Sequence, residues 1–131
     1  MEVKYLLDTN TIIDYLANKL PQDFINPFFN NIINLKPNIS IITQIELLGF
    51  NAEKEVEILL HEFVNDCHII SLSNDIVMET ISLRKNHKIK IPDAIIAATA
   101  LINNYVLITR NVNDFNKIDT VKSLNPYKHN P

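Results

Sequence analysis

Val3-Lys4-Tyr5-Leu6-Leu7-Asp8-Thr9-Asn10 decides the fold. Val3 to Leu7 is short, apolar and β-prone, and reads as a buried strand. Asp8-Thr9-Asn10 then supplies helix-starting side chains. Ile12, Ile13, Leu16 and Leu20 follow at helical spacing until Pro21. A strand that hands over to a helix through an acid is the opening of an α/β unit. Its acid lies at the carboxyl end of the strand, where open α/β sheets bind ligands.

The same alternation recurs downstream. Residues 23–35 predict a helix with Phe24, Ile25, Phe28, Phe29, Ile32 and Ile33 on a wide apolar face, and Pro27 tolerated near its start. Ile39 to Ile42 predicts a strand, with a helix from Thr43 that Gly49 can close. Glu53 to Val64 predicts an amphipathic helix with Val56, Leu59, Leu60 and Phe63 inward. His68 to Leu72 and Tyr105 to Thr109 predict further strands, and Val121 to Leu124 a fifth. Ser73 caps one helix, and Ile91-Pro92-Asp93 opens another that is apolar nearly all round. The expectation is an α/β/α three-layer sandwich around a mainly parallel sheet. It forms a single domain over residues 1–125, followed by a C-terminal tail at 126–131.

Composition narrows the function classes. The chain has 131 residues, 47% of them hydrophobic, enough for one domain with a core. One cysteine, Cys67, excludes a disulfide framework or a cysteine-based zinc site within the chain, and fits a reducing compartment such as the cytoplasm. One glycine, Gly49, argues against glycine-rich phosphate loops. No signal segment or membrane span is expected. The net charge of −3 advertises no basic field, but without four particular acids it becomes +1.

Those acids are Asp8, Glu46, Asp93 and Asp114. Each has an ordinary reading. Asp8 suits an N-cap. Glu46 suits a polar stripe on a packed helix, Asp93 favours a helix dipole, and Asp114 suits an Asx-turn. Jointly, one topology would gather all four near one end of one sheet, and none has a Lys or Arg partner beside it in an apolar run. Clustered carboxylates raise one another's pKa, a cost that a divalent cation removes. Arg84, Lys85, Lys88 and Lys90 before Asp93, and Arg110 and Lys117 around Asp114, could contact phosphates. The alternative is a set of solvated helix ends. His61, His68, His87 and His129 have no metal-ligand spacing.

Tyr5-Leu6-Leu7-Asp8-Thr9-Asn10, Thr43-Gln44-Ile45-Glu46-Leu47-Leu48, Lys90-Ile91-Pro92-Asp93-Ala94-Ile95-Ile96-Ala97-Ala98-Thr99-Ala100 and Thr109-Arg110-Asn111-Val112-Asn113-Asp114-Phe115 together resemble the PIN-domain family. They are most similar to its VapC branch of toxin ribonucleases. The resemblance covers nearly the whole chain. It implies a metal-dependent endoribonuclease whose acidic quartet is Asp8, Glu46, Asp93 and Asp114. Asp8 and Asp93 would be the firmest ligands of Mg²⁺ (or Mn²⁺), and Thr109 and Asn111 supporting polar positions. It also implies an RNA substrate, a homodimer and a tightly bound antitoxin.

Two other readings compete. A response-regulator receiver domain also joins an α/β fold to an acidic cluster. It needs an acceptor Asp and a Lys at strand ends where this chain has neither. A catalytically silent RNA- or protein-binding module on the PIN scaffold would share every ligand. Cleavage in Mg²⁺ against EDTA separates it from the nuclease.

Overall fold

The computed structural model describes residues 2–128. Met1 and residues 129–131, with His129 and the end of the expected tail, lie outside the described residues. The first strand, β1, spans Lys4–Leu7 and leads into α1, Thr9–Leu16. This helix stops four residues short of the expected Leu20. Asn18 takes a left-handed backbone (φ 58°), a conformation asparagine tolerates better than most residues. Leu20 is still buried, from a loop rather than a helix.

The helix expected over 23–35 is three pieces: α2 (Gln22–Phe24), a π-type turn (Ile25–Phe29) and α3 (Asn30–Asn34). The break falls at Asn26, whose backbone is extended (φ −107°, ψ 119°). A residue before proline is pushed out of the helical region, and Pro27 is that proline. The phenylalanines still meet: Phe24 and Phe29 are fully buried, and Tyr15 packs edge-on against Phe29 with ring centres 5.0 Å apart.

The second strand, β2, is Asn38–Ser40, and α4 begins at once as Ile41–Leu48. The β-branched pair Ile41-Ile42 reads as strand in isolation. Ser40 overrides it, because its Oγ accepts from the Ile42 N–H at 3.0 Å and starts the helix there. Gly49 does end α4, though with an ordinary right-handed backbone (φ −87°). A Cβ at Gly49 would sit 2.8 Å from the Ile45 carbonyl oxygen.

The remaining elements are α5 (Lys54–Asn65), β3 (His68–Ile70), α6 (Asn74–Asn86), α7 (Ile91–Asn103), β4 (Tyr105–Ile108), α8 (Val112–Phe115) and β5 (Ser123–Leu124). A short 3₁₀ turn follows at Pro126–Lys128. On α5 only part of the expected face is covered: Leu60 and Val64 are buried, whereas Val56 and Leu59 are exposed. No helix among the described residues is long and apolar enough to cross a membrane.

The five strands form one sheet in the order β3-β2-β1-β4-β5, every neighbouring pair parallel. Alternation along the strands makes the layers. Leu6 and Leu107 face a core with Ile76, Leu83 and Ile96 of α6 and α7. Leu7, Ile39 and Ile108 face a second core with Ile12, Phe24 and Leu60 of α1, α2 and α5. Each fully buried Leu or Ile contributes roughly 1.5–3 kcal/mol, so this two-sided burial holds the three layers together. From β1 the chain runs to β2 and β3 on one side and later to β4 and β5 on the other. That reversal opens a crevice at the carboxyl ends of β1 and β4.

Candidate functional site

Leu7 is in register with Ile108, so Asp8 and Thr109 leave the sheet side by side in that crevice. The Asp8 N–H donates to the Ile108 carbonyl at 3.0 Å, which fixes where the acid emerges. Asp8 is 5% exposed. Its Oδ1 accepts from the Thr9 N–H at 2.8 Å. Its Oδ2 accepts from Thr109 Oγ1 at 2.7 Å and from Asn10 Nδ2 at 3.2 Å. Asp8 does stand at the N-cap of α1, but a usual cap bonds the second or third helical N–H, not the first. Its carboxylate is held toward the crevice rather than folded over the helix end.

Glu46 lies in the second turn of α4 and is exposed. Thr9 Oγ1 donates to its Oε1 at 2.6 Å and lies 3.1 Å from the hydroxyl of the fully buried Thr43. That pair of threonines ties α4 to α1 beside Asp8. Asp93 stands in the first turn of α7, set there by Pro92, and is half-buried. Asp114 is exposed on the short helix α8.

The electrostatics join the four. Burial pushes the Asp8 carboxyl up from 3.8 to about 6; bonds from Thr109 and Thr9 oppose this, while the charges of Asp93 and Glu46 add to it. Asp93 is also raised, chiefly by burial and then by Asp114 and Glu46, with Lys90 opposing. Asp93 thus feels both Glu46 and Asp114, and Asp8 feels Glu46 and Asp93. Among the described residues none of the four has an ion-pair partner. Neither is any group of three or more His, Cys, Asp or Glu drawn close enough to cage an ion. The cluster is an open, oxygen-only anionic site. Such a donor set suits a hard divalent cation of the Mg²⁺ type, which binds through one or two carboxylates and keeps several waters.

Thr109 makes the supporting contact to Asp8. Asn111 contributes its backbone N–H, which donates to Thr109 Oγ1 at 3.0 Å and steadies that hydroxyl. The basic residues divide. Lys90 lies near enough to Asp93 to act on its charge. Arg84 Nη1 donates to the Ile89 carbonyl at 2.7 Å and braces the loop before α7. Arg110 turns to Asp14, an acid the sequence reading passed over. Asp14 is 2% exposed and also accepts from the Tyr127 hydroxyl at 2.8 Å. Its signal was faint, one acid in a short helix, where an acid is normally solvated. Thr9 and Asn10 were read only as helix starters. A cavity of about 530 Å³ is lined by Val3, Phe28, Pro37 and His68 among others, at the amino ends of β1, β2 and β3. None of the four acids lines it.

Comparison with known proteins agrees with this architecture. The PIN domain family model matches residues 5–121. Ribonuclease VapC1 of Methanocaldococcus jannaschii is 28% identical over 122 residues, covering 89% of this chain and 82% of the relative. A toxin-antitoxin complex from Klebsiella pneumoniae contains a chain 31% identical, with a TM-score of 0.73, covering 96% of this chain and 100% of that one. DNA-bound VapBC from Salmonella typhimurium gives 25% identity and a TM-score of 0.77 over 95% of this chain and 99% of that one. With strand order, crevice and family model in agreement over nearly its whole length, this chain belongs to the PIN-domain family and is VapC-like in build.

Proposed function

We propose that this chain is the toxin ribonuclease of a VapBC-type toxin–antitoxin pair, an Mg²⁺-dependent endonuclease that hydrolyses RNA phosphodiester bonds. The observation that carries the reading is the carboxylate cluster itself. Asp8 and Asp93 have their proton affinity raised at the topological switch point, with the charges of Glu46 and Asp114 contributing, and none of the four has an ion-paired cation among the described residues. Asp8 and Asp93 would hold Mg²⁺ (Mn²⁺ is the alternative). When bound, the ion supplies a polarised phosphoryl oxygen and a more acidic water.

The chain's own side chains do the positioning. Thr109, Asn10 and the Thr9 N–H fix the Asp8 carboxylate. Thr9 fixes one oxygen of Glu46 and leaves the other to orient the attacking water. Water adds to phosphorus, its proton passes to Glu46, and the bond to the leaving oxygen breaks with proton return through solvent. Asp114 completes the anionic set beside Asp93.

The same reading includes a cytoplasmic homodimer and a cognate antitoxin that occludes the site; the toxin–antitoxin complexes among its structural relatives support the antitoxin partner. It takes residues 1–125 as one nuclease domain, followed by a short turn in which Pro126 is buried. The decisive assay incubates purified protein with RNA in Mg²⁺ or in EDTA. Cleavage in Mg²⁺ only, lost in Asp8→Asn and Asp93→Asn with the circular dichroism spectrum preserved, is expected. Intact RNA in Mg²⁺ would favour the silent binding module, and full activity in either variant would end the metal-ligand assignment.

A further inference from the structure

We propose that Arg110 is a phosphate contact for single-stranded RNA entering the site, held in place by Asp14 and Tyr127; this deepens the nuclease reading and rests on it. Asp14 is almost fully buried, and desolvating a carboxylate costs several kcal/mol unless it is well paired. Its partners are Arg110 Nη1, which reaches both oxygens at 3.0 and 2.9 Å, and the Tyr127 hydroxyl at 2.8 Å. The carboxylate is spent on an arginine whose side chain is 53% exposed.

That pairing uses one guanidinium nitrogen. A fork-to-fork Arg–carboxylate pair would use two. Here Nε and Nη2 make no hydrogen bond or ion pair among the described residues, and the outer edge of the fork is left to solvent. A pure structural staple would gain from engaging that edge. An anion-binding arginine needs it open.

Position and charge agree. The Arg110 N–H donates to Asn10 Oδ1 at 3.3 Å, and Asn10 in turn donates to Asp8, so the arginine grows from the rim of the acidic crevice. Asp14 lies six positions beyond Asp8 along α1, a rise of ~9 Å. At that reach Arg110 would meet a phosphate neighbouring the one being cut rather than the scissile phosphate itself. A cluster of carboxylates repels a polyanion, and a rigid cation at its rim offsets that repulsion.

The test uses Arg110→Gln, Asp14→Asn and their combination. RNA binding is read by anisotropy of a fluorescein-labelled single-stranded RNA in an Asp93→Asn background, and kcat and KM in the otherwise unaltered protein. Arg110→Gln should weaken binding and raise KM about tenfold, the scale of one charge-assisted hydrogen bond. It should lower the slope of log affinity against log salt by roughly 0.7. It should also lower Tm, because Asp14 is left buried without its cation. The double variant should regain Tm but not RNA affinity. Recovery of affinity together with Tm would show a structural staple and overturn the proposal. Should Arg110→Gln fail to fold, Arg110→Lys keeps the ion pair but loses the fork, and should bind RNA several-fold more weakly at unchanged Tm; equal affinity overturns the proposal. If the parent chain neither cuts nor binds this RNA, the nuclease reading falls with it. If it cuts while Arg110→Gln binds as tightly, only the proposal falls.

Discussion

Replacing Asp8 by asparagine should make the metal-free protein more stable at neutral pH. The Asp8 carboxyl rises from 3.8 to about 6 on folding, chiefly because it is buried. At about 1.4 kcal/mol per pH unit, the folded protein disfavours charged Asp8 by about 3 kcal/mol. The sign follows from proton counting. Between pH 3.8 and about 6 the folded chain binds more protons at this site than the unfolded chain, so stability falls as pH rises through that window. Below 3.8 both states are protonated and the penalty vanishes. Asparagine keeps an acceptor for the Thr9 N–H and removes the charge. Roughly 1–2 kcal/mol of gain should remain after the less favourable contacts with Thr109 and Asn10, which both donate to the oxygen that is replaced. Urea titrations in EDTA at pH 7.5 and pH 4 measure this directly. The variant should be the more stable at pH 7.5, and the advantage should shrink at pH 4. An Asp8→Asn protein less stable than its parent in EDTA at pH 7.5 would refute the claim that burial outweighs the hydrogen bonds that Asp8 accepts. So would a gain independent of pH. Saturating Mg²⁺ should stabilise the parent more than the variant, because only the parent carries the full carboxylate pair.

Three further outcomes follow from named contacts. Thr109→Val keeps shape but removes the hydroxyl that donates to Asp8; cleavage or Mg²⁺ affinity should fall about 10–100-fold in a titration, with the fold intact. Ser40→Ala removes the cap of α4 and should cost about 1 kcal/mol in denaturant unfolding, with the backbone that carries Glu46 exchanging amide hydrogens faster. Phe24→Ala, at a fully buried position, should cost about 3–5 kcal/mol by the same method and leave little folded protein at 37 °C.

Much of the candidate site was legible because an acid at the end of an apolar strand, or inside an apolar run, breaks a local rule. Asp8, Glu46 and Asp93 do this, and the structure brings all three within electrostatic reach of one another. The parallel sheet was legible from the alternation of short apolar runs with helical periods. Asp14 was not, because its burial depends on Arg110 and Tyr127, which lie 96 and 113 residues away. Local pattern carries no trace of such a partner. The start of α4 was misread because Ile41-Ile42 has strand propensity, while one hydroxyl at Ser40 decides the outcome. On α5 the periodicity marks an apolar stripe, but how much of it is covered depends on tertiary neighbours, and Val56 and Leu59 stay exposed.

The bond from Thr109 to Asp8 spans 101 residues, and β1 pairs with β4 across a similar distance. Strand β1 is made first, yet one of its two sheet neighbours arrives only in the last quarter of the chain. Contacts of such long range form late and slowly. A ribosome-bound nascent chain that has not yet released Tyr105 to Thr109 has no fixed Asp8. On the proposed nuclease reading, such a chain, or a product broken off before that point, carries no assembled site.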